Sequence, residues 1–309
     1  MDDGVREKPH LFGLVPEELV EVMKSNGVTL DVTRARQVLG RTISEGKDDL
    51  DVRRGLKKWL RAAIDDATSR ENLELVDRVV NPADNFVKYL FRSPDGALSE
   101  AVRLPLHVVD RYSVCLSSQA GCSMGCAFCA TGRMGLHRNL RAWEMVAAFR
   151  AVREDTDGRL TGAVFQGQGE PFDNYDEVIQ AAKVLSNPCG GRISAKAISI
   201  STVGLVPQIR RFTAEGHKYR LIVSLTSAIP SRRKRLLPGA FPEGIDPEQA
   251  LHELAEAIRE HAEVTEDRVT VAWVLIRGLN SGDDEVEAIE RYFAGAPLRF
   301  NLIDVNDPR

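Results

Sequence analysis

The sequence predicts an α/β protein, and three observations carry that prediction. From Tyr112 onward, short apolar strand-like runs alternate six times with segments of helical period. Apolar strands in such an alternation are expected to run parallel and to be covered by helices. Ahead of them, residues 1–70 read as a small helical domain and residues 71–110 as short linking strands, which leaves 111–309 for the β/α alternation. The length of 309 residues suits one large domain and a small one, and 43% hydrophobic with 28% charged residues is the ordinary globular balance.

Each element has its own signal. "PEELVEVMKSNGV" starts with Pro16 at the first turn of a helix and stops at Gly27. "TRARQVLG" follows, and then "VRRGLKKWLRAAIDDA", with Val52, Leu56, Trp59, Leu60 and Ile64 at helical spacing. "LELVDRVV", "NFVKYLFR" and "LSEAVRLPL" read as strands, with "SPDG" (Ser93 to Gly96) as the turn between the last two. Strand "YSVCLSS" leads through a cysteine-rich loop to helix "AWEMVAAFRAVRE". The pairs that follow are "GAVFQG" with "YDEVIQAAKVLS", "AISIST" with "VPQIRRFTAEG", "RLIVSLTS" with "PEQALHELAEAIREH", and "RVTVAWVLI" with "DDEVEAIERYF"; "RFNLIDV" is the sixth strand. Loops at the carboxyl ends of such strands build active sites, and the unusual segments of this chain all sit there.

No apolar run reaches the roughly 18 residues of a membrane span, and no signal-peptide pattern opens the chain, so no membrane partner and a cytoplasmic location are expected. Five cysteines, three of them clustered, do not look like a secreted disulfide scaffold and suggest metal or redox chemistry. The net charge of −4 neither favours nor excludes nucleic acid. "SRRKRL" (Ser231 to Leu236) and "RRGLKKWLR" (Arg53 to Arg61) are candidate basic faces, with an ordinary solvated helix or loop face as the alternative.

The cysteine loop, "GCSMGCAFCATG" (121–132), places Cys122, Cys126 and Cys129 in a C-x₃-C-x₂-C spacing. A zinc ribbon needs two CxxC pairs, and the one nearby histidine, His137, would complete an irregular Cys₃His site. Thiolates also suit an iron–sulfur cube, which normally takes four protein ligands. Three ligands leave one iron open.

That arrangement, with Phe128 just before the last cysteine, resembles the radical S-adenosylmethionine (SAM) enzymes. The resemblance implies a [4Fe–4S] cluster on Cys122, Cys126 and Cys129, and SAM chelated at the open iron and cleaved to a 5′-deoxyadenosyl radical. The longer stretch "CLSSQAGCSMGCAFCATGRMGLHRNL" (115–140) is similar to the RlmN/Cfr family, which methylates adenine in RNA at carbon 2 or carbon 8, and "CATG..GL..NL" looks like its Cfr-like branch. "GQGEPFDN", "SISTVGLVP", "VSLTSA", "RLLPG", "RGLNSGDDE" and "NLIDVNDP" recur in family order, so the resemblance covers essentially residues 10–309. It implies a partial (β/α)6 radical SAM barrel with an RNA-binding helical accessory domain. The implied partners are ribosomal or transfer RNA and an electron donor such as flavodoxin or ferredoxin, and the chain is expected to be a monomer.

The resemblance assigns Gly169, Glu170, Ser201, Ser224, Thr226 and Asn306 to SAM. Read without it, these residues are a tight βα turn, an acid that caps a helix, hydroxyl caps and a loop asparagine. Cys115 matches a cysteine that releases methylated product, and Glu100, in "EAVRLP", matches the acid assigned as proton acceptor. On their own they are a small buried strand residue and a solvent-facing carboxylate. Two positions depart from the family pattern: Thr226 stands where histidine is frequent, and Gln168 where methionine is usual. The family also carries a methyl group on a cysteine tens of residues beyond the "NLI..NP" block, whereas here no cysteine follows Cys189. A polypeptide of these 309 residues is therefore expected to cleave SAM without methylating RNA. The alternatives are radical SAM chemistry on a substrate other than RNA, or a relic that only binds RNA.

Overall fold

The computed structural model describes residues 8–47, 49–50 and 56–305. The chain divides into two compact units, one of Met1–Leu116, Leu140–Ala163 and Asp176–Ile198, the other of Ser117–Asn139, Val164–Tyr175 and Ser199–Arg309.

In the first unit, helix α1 (Pro16–Ser25) begins at a proline, and the Glu18 carboxylate accepts the Val15 N–H at 3.0 Å, satisfying a donor the helix leaves open. Helix α2 (Val32–Leu39) is capped by Asp31, which accepts from the Arg34 N–H at 2.9 Å, and it runs on into a π turn at Gly40–Ser44. Helix α3 (Lys58–Ala67) covers the second half of the expected third helix; the part before Leu56 lies outside the described residues. Leu19, Met23, Val38, Leu39, Leu60 and Ile64 form the apolar faces of the three helices and are buried.

Strands β1 (Glu74–Val80), β2 (Val87–Arg92), β3 (Leu98–Pro105) and β4 (Arg111–Leu116) form an antiparallel meander, with β7 (Arg159–Phe165) next in order after β4. "SPDG" makes the expected turn: the Gly96 N–H reaches Ser93 O at 2.8 Å with Gly96 at φ +89°. Val87, Tyr89 and Phe91 alternate inward along β2. Helix α5 (Ala142–Glu154) packs on β3 and β4. Its buried Glu144 accepts hydrogen bonds from the Arg141 N–H, at 2.7 Å, and from the Ser93 hydroxyl. Helix α6 (Tyr175–Ser186) closes this part of the alternation.

In the second unit, strands β8 (Ile198–Thr202), β9 (Arg220–Ser224), β10 (Val269–Leu275) and β11 (Leu298–Asp304) are parallel neighbours in that order. The register sets Ser201 opposite Ile222, and Val271 opposite Val223 and Phe300. Helix α9 (Pro247–Thr265) packs against helices α7 (Val206–Ala214), α8 (Pro230–Leu236) and α10 (Asp283–Phe293) and against β10. Leu251, Leu254, Ile258, Ile200 and Val223 are wholly or almost wholly buried, each worth about 1.5–3 kcal/mol of transfer free energy.

The mixed α/β class and the parallel strands are as the sequence predicts. Three features, a short two-stranded ribbon, the helix between its strands and helix α8, have no counterpart in that reading. Strands β5 (Gln119–Gly121) and β6 (Leu136–Asn139) form a short antiparallel ribbon around the cysteine loop, and helix α4 (Ala130–Met134) lies between them. These pieces are too short to show periodicity, and their signal is the glycine pair: Gly121 (φ +81°) and Gly135 (φ +74°) make the bends. A side chain at Gly121 would meet the Gly135 carbonyl oxygen at 2.0 Å. Helix α8 is the third feature, formed from "SRRKRL". Only Arg235, Lys234 and their like fit the basic face suggested by that run, since Arg233 is buried and Arg232 binds Asp284 and Glu285 at 2.7 and 2.6 Å.

Candidate active site

The three clustered cysteines come together in one apolar pocket of the second unit. Cys122 and Cys126 are buried with Met124, Val203, Leu236, Leu237 and Ala240, and Cys129, Phe128 and Phe241 pack against them. Backbone bonds hold the loop's shape: the Cys122 N–H donates to Gly135 O at 2.9 Å, Cys129 to Cys126 O at 3.1 Å, and Ala127 to Leu236 O at 3.0 Å. Gly239 clasps the other side, its N–H reaching Met124 O at 3.0 Å; a Cβ there would lie 2.6 Å from the Met124 Cα.

Burial and the neighbouring thiols push the Cys126 thiol up to about 12, and burial also raises Cys122. Three thiols that repel one another's charge in an apolar setting are relieved when all three bind a cationic cluster. Among the described residues no three His, Cys, Asp or Glu side chains converge as ligands of one ion. A cube presents three separate iron corners, so its thiolates need not meet at a point.

The strap after β7 is bound to the segment leading into the loop. The Ser118 and Gln119 N–H groups both donate to Gln168 O, at 2.8 and 3.2 Å, and the Gln168 N–H donates to the Ser117 hydroxyl at 3.0 Å. Gly169 sits at φ +99°, and a Cβ there would come within 2.7 Å of both Gln119 N and Ser118 Oγ. The hydrogen-bond network continues through Gln119, which is fully buried: its amide oxygen accepts the Glu170 N–H at 2.9 Å. Its amide nitrogen donates to Asn139 at 2.8 Å and to Asp173 at 3.0 Å, and Asp173 also accepts from the Ser123 hydroxyl at 3.0 Å.

Glu170 is 2% exposed. One carboxylate oxygen accepts the Phe172 N–H at 2.9 Å, the other the Val203 N–H at 2.8 Å, so it fastens the strap to the end of β8. Burial pushes its carboxyl up to about 7, against the downward pull of those donors and of the Thr202 hydroxyl. The other expected SAM residues line the next strand ends. The Ser201 and Ser224 hydroxyls lie 3.3 Å apart at the ends of β8 and β9. Thr226 is fully buried at φ +57°, a left-handed conformation that a β-branched residue rarely adopts, and its hydroxyl has no partner. The buried side-chain oxygen of Gln168 likewise has none. These orphaned polar atoms fit a site that binds a polar ligand. Asn306 lies outside the described residues.

Glu100 and Cys115 belong to the first unit. Val102 of β3 is opposite Cys115 of β4, which puts Glu100 and Cys115 on the same sheet face as diagonal neighbours. Lys88, opposite Val102 on β2, pairs with Glu100 at 2.7 Å. Several residues that hold the site were not singled out in the sequence: Gln119, Asp173, Arg233 and Asn280. Asn280 takes the Ile276 N–H at 2.7 Å and donates to Thr226 O and Val274 O. Each lies inside or beside one of the strand-end motifs, and spacing alone does not show that a polar side chain there holds backbone, as Arg233 and Asn280 do, or another side chain, as Asp173 does.

The sequence profile of the Radical SAM superfamily matches residues 116–292. The chain belongs to that superfamily. A curated protein of Anaeromyxobacter sp. (strain Fw109-5), named a probable RNA methyltransferase, is 46% identical over 96% of this chain and 84% of its own length. A probable dual-specificity RNA methyltransferase RlmN of Alkaliphilus oremlandii is 33% identical over 97% of this chain and 84% of its own. The crystal structure of a radical SAM methyltransferase from Sphaerobacter thermophilus superposes with a TM-score of 0.83 at 37% identity, covering 97% of this chain and 86% of that one. This radical SAM protein is thus an enzyme with methyltransferase relatives along nearly its whole length. Among its described residues, no helix is long and apolar enough to cross a membrane.

Proposed function

We propose that this enzyme transfers a methyl group to an adenine ring carbon of RNA. The observation that carries the proposal is the shared apolar pocket of Cys122, Cys126 and Cys129 beside strand ends that carry unspent polar atoms. Those cysteines would hold a [4Fe–4S] cluster, which when reduced by a donor such as flavodoxin or ferredoxin supplies the electron that cleaves SAM. The protein's own residues bind and orient the SAM. Gly169 leaves room for it, and the Glu170 carboxylate, after accepting two backbone N–H groups and the Thr202 hydroxyl, keeps acceptor capacity for its amino group. Ser201, Ser224, Thr226 and Asn306 offer hydroxyls and an amide to its carboxylate and ribose. Glu100, paired with Lys88 at 2.7 Å, would take a proton from the adenine, and Cys115 would free the methylated product.

The test is anaerobic reconstitution followed by incubation with SAM, reductant and RNA. The assay is run for these 309 residues and for a chimera extended with the C-terminal residues of the Alkaliphilus relative. 5′-Deoxyadenosine from both, with labelled methyl on adenine from at least the chimera, is the expected result. 5′-Deoxyadenosine from both without any label in RNA would move the enzyme to another substrate.

A further inference from the structure

Arg233 of helix α8 is 2% exposed. Its guanidinium donates to Leu225 O at 2.7 Å, to Ser224 O at 3.2 Å and to Val203 O, and it lies 5.8 Å from the centre of the Phe241 ring. All four partners are uncharged. The adjacent Arg232 takes Asp284 and Glu285, and among the described residues no carboxylate lies within ion-pair distance of Arg233. A buried cation without a counter-charge is costly, and burial lowers its pKa to about 10.

The elements tied to Arg233 are those that enclose the cysteines. Val203 and Phe241 pack in the cysteine pocket, and Leu236, one turn along α8, accepts the Ala127 N–H of the loop. Cysteine thiolates formed on binding a cluster would supply the missing counter-charge beside these shared elements. We propose that Arg233 is a positioning residue for the cluster: its fixed positive charge, held by three carbonyls, balances the thiolate-bound cluster and raises its reduction potential. The proposal rests on the cluster reading above. A reduced cluster carries one more negative charge than an oxidised one, so a nearby cation favours reduction, and net charge is among the levers that set such potentials.

The experiment is a redox titration of the reconstituted protein, followed by the electron paramagnetic resonance signal of the reduced cluster, for the unmodified chain, R233K and R233M. In R233M the ratio of reduced to oxidised cluster at a fixed poise should fall about tenfold or more, a shift of about 59 mV for one electron. R233K keeps the charge and loses the planar fork; it should stay near the unmodified potential even if its thermal stability drops. Equal shifts in both variants, or none in R233M, overturn the proposal. Should R233M fail to fold, Arg233→Gln, which keeps amide donors for the carbonyls, reads the same quantity. A chain that every neutral replacement unfolds shows Arg233 to be a structural strut and also overturns it. An unmodified chain that takes up no cluster removes the cluster reading itself, an outcome distinct from the others.

Discussion

Around the cysteine loop, Gln119, Glu170 and Arg233 are each at most 2% exposed; Glu170 and Arg233 hold backbone groups, and Gln119 holds the Glu170 N–H and the side chains of Asn139 and Asp173. On the β3–β4 face, Glu100 keeps 28% of its side chain exposed and its tie is to Lys88, which is 54% exposed. The first region is built to hold something still, because its buried polar groups are costly to leave unmade and each fixes the position of a strand end. The second leaves a carboxylate and a thiol within reach of solvent on a regular sheet, which suits groups that must meet a substrate and let it go. A surface ion pair such as Lys88–Glu100 adds little to stability.

Substitutions should separate the two regions sharply. Replacing Cys126 by Ala is expected to abolish cluster uptake, read as bound iron and sulfide, and with it all 5′-deoxyadenosine. Gly169→Ala follows: with φ +99° and backbone and side-chain atoms within 2.7 Å of the new methyl, it should cost about 2 kcal/mol or more in chemical denaturation and weaken SAM binding. Retention of full SAM affinity there would show that the strap has slack.

Acid tests both units together. His10, stacked on Trp143 at 4.2 Å, and His261, bonded to the Thr213 hydroxyl at 2.8 Å, are buried, and burial lowers each from 6.5 to about 4. The unfolded chain takes up these protons first. Their contribution is therefore complete above about pH 6.5 and is lost as pH falls toward 4, about 2 kcal/mol per histidine at pH 5. Denaturation midpoints at pH 7 and 5 measure this, and H261F should remove about half of the loss.

The smallest effect is expected on the open face. Cys115→Ala should change stability by about 1 kcal/mol or less, with cluster content and 5′-deoxyadenosine formation unchanged. In the chimera that carries the relative's C-terminal residues, the same replacement should leave methylated RNA attached to the protein, visible as a shifted band after denaturing electrophoresis. Loss of the cluster in this variant would mean that the β4 thiol has a structural part in the loop.

Legibility followed the same division. The alternation of β8, α7, β9, α9, β10 and α10 was plain, because each element is long enough to show its period. The cysteines were plain because their spacing is chemical rather than conformational. The β5–β6 ribbon was not, since three or four residues between two left-handed glycines carry no period. Arg233 was hidden by its neighbours: Ser231, Arg232, Lys234 and Arg235 make the run look solvated, and only packing shows which of the basic residues turns inward. Glu100 and Cys115 have no local signal at all and were singled out by the family resemblance alone.

The clasp at Gly239 has a consequence for how the enzyme matures. With the Gly239 N–H on Met124 O, the Ala127 N–H on Leu236 O and no room for even a methyl group between Gly239 and Met124, the cysteine loop is tied at two points to the end of α8 and the turn after it. For the cluster proposed above, loading and the opening of this turn would be coupled, because one movement after α8 releases both backbone bonds to the loop.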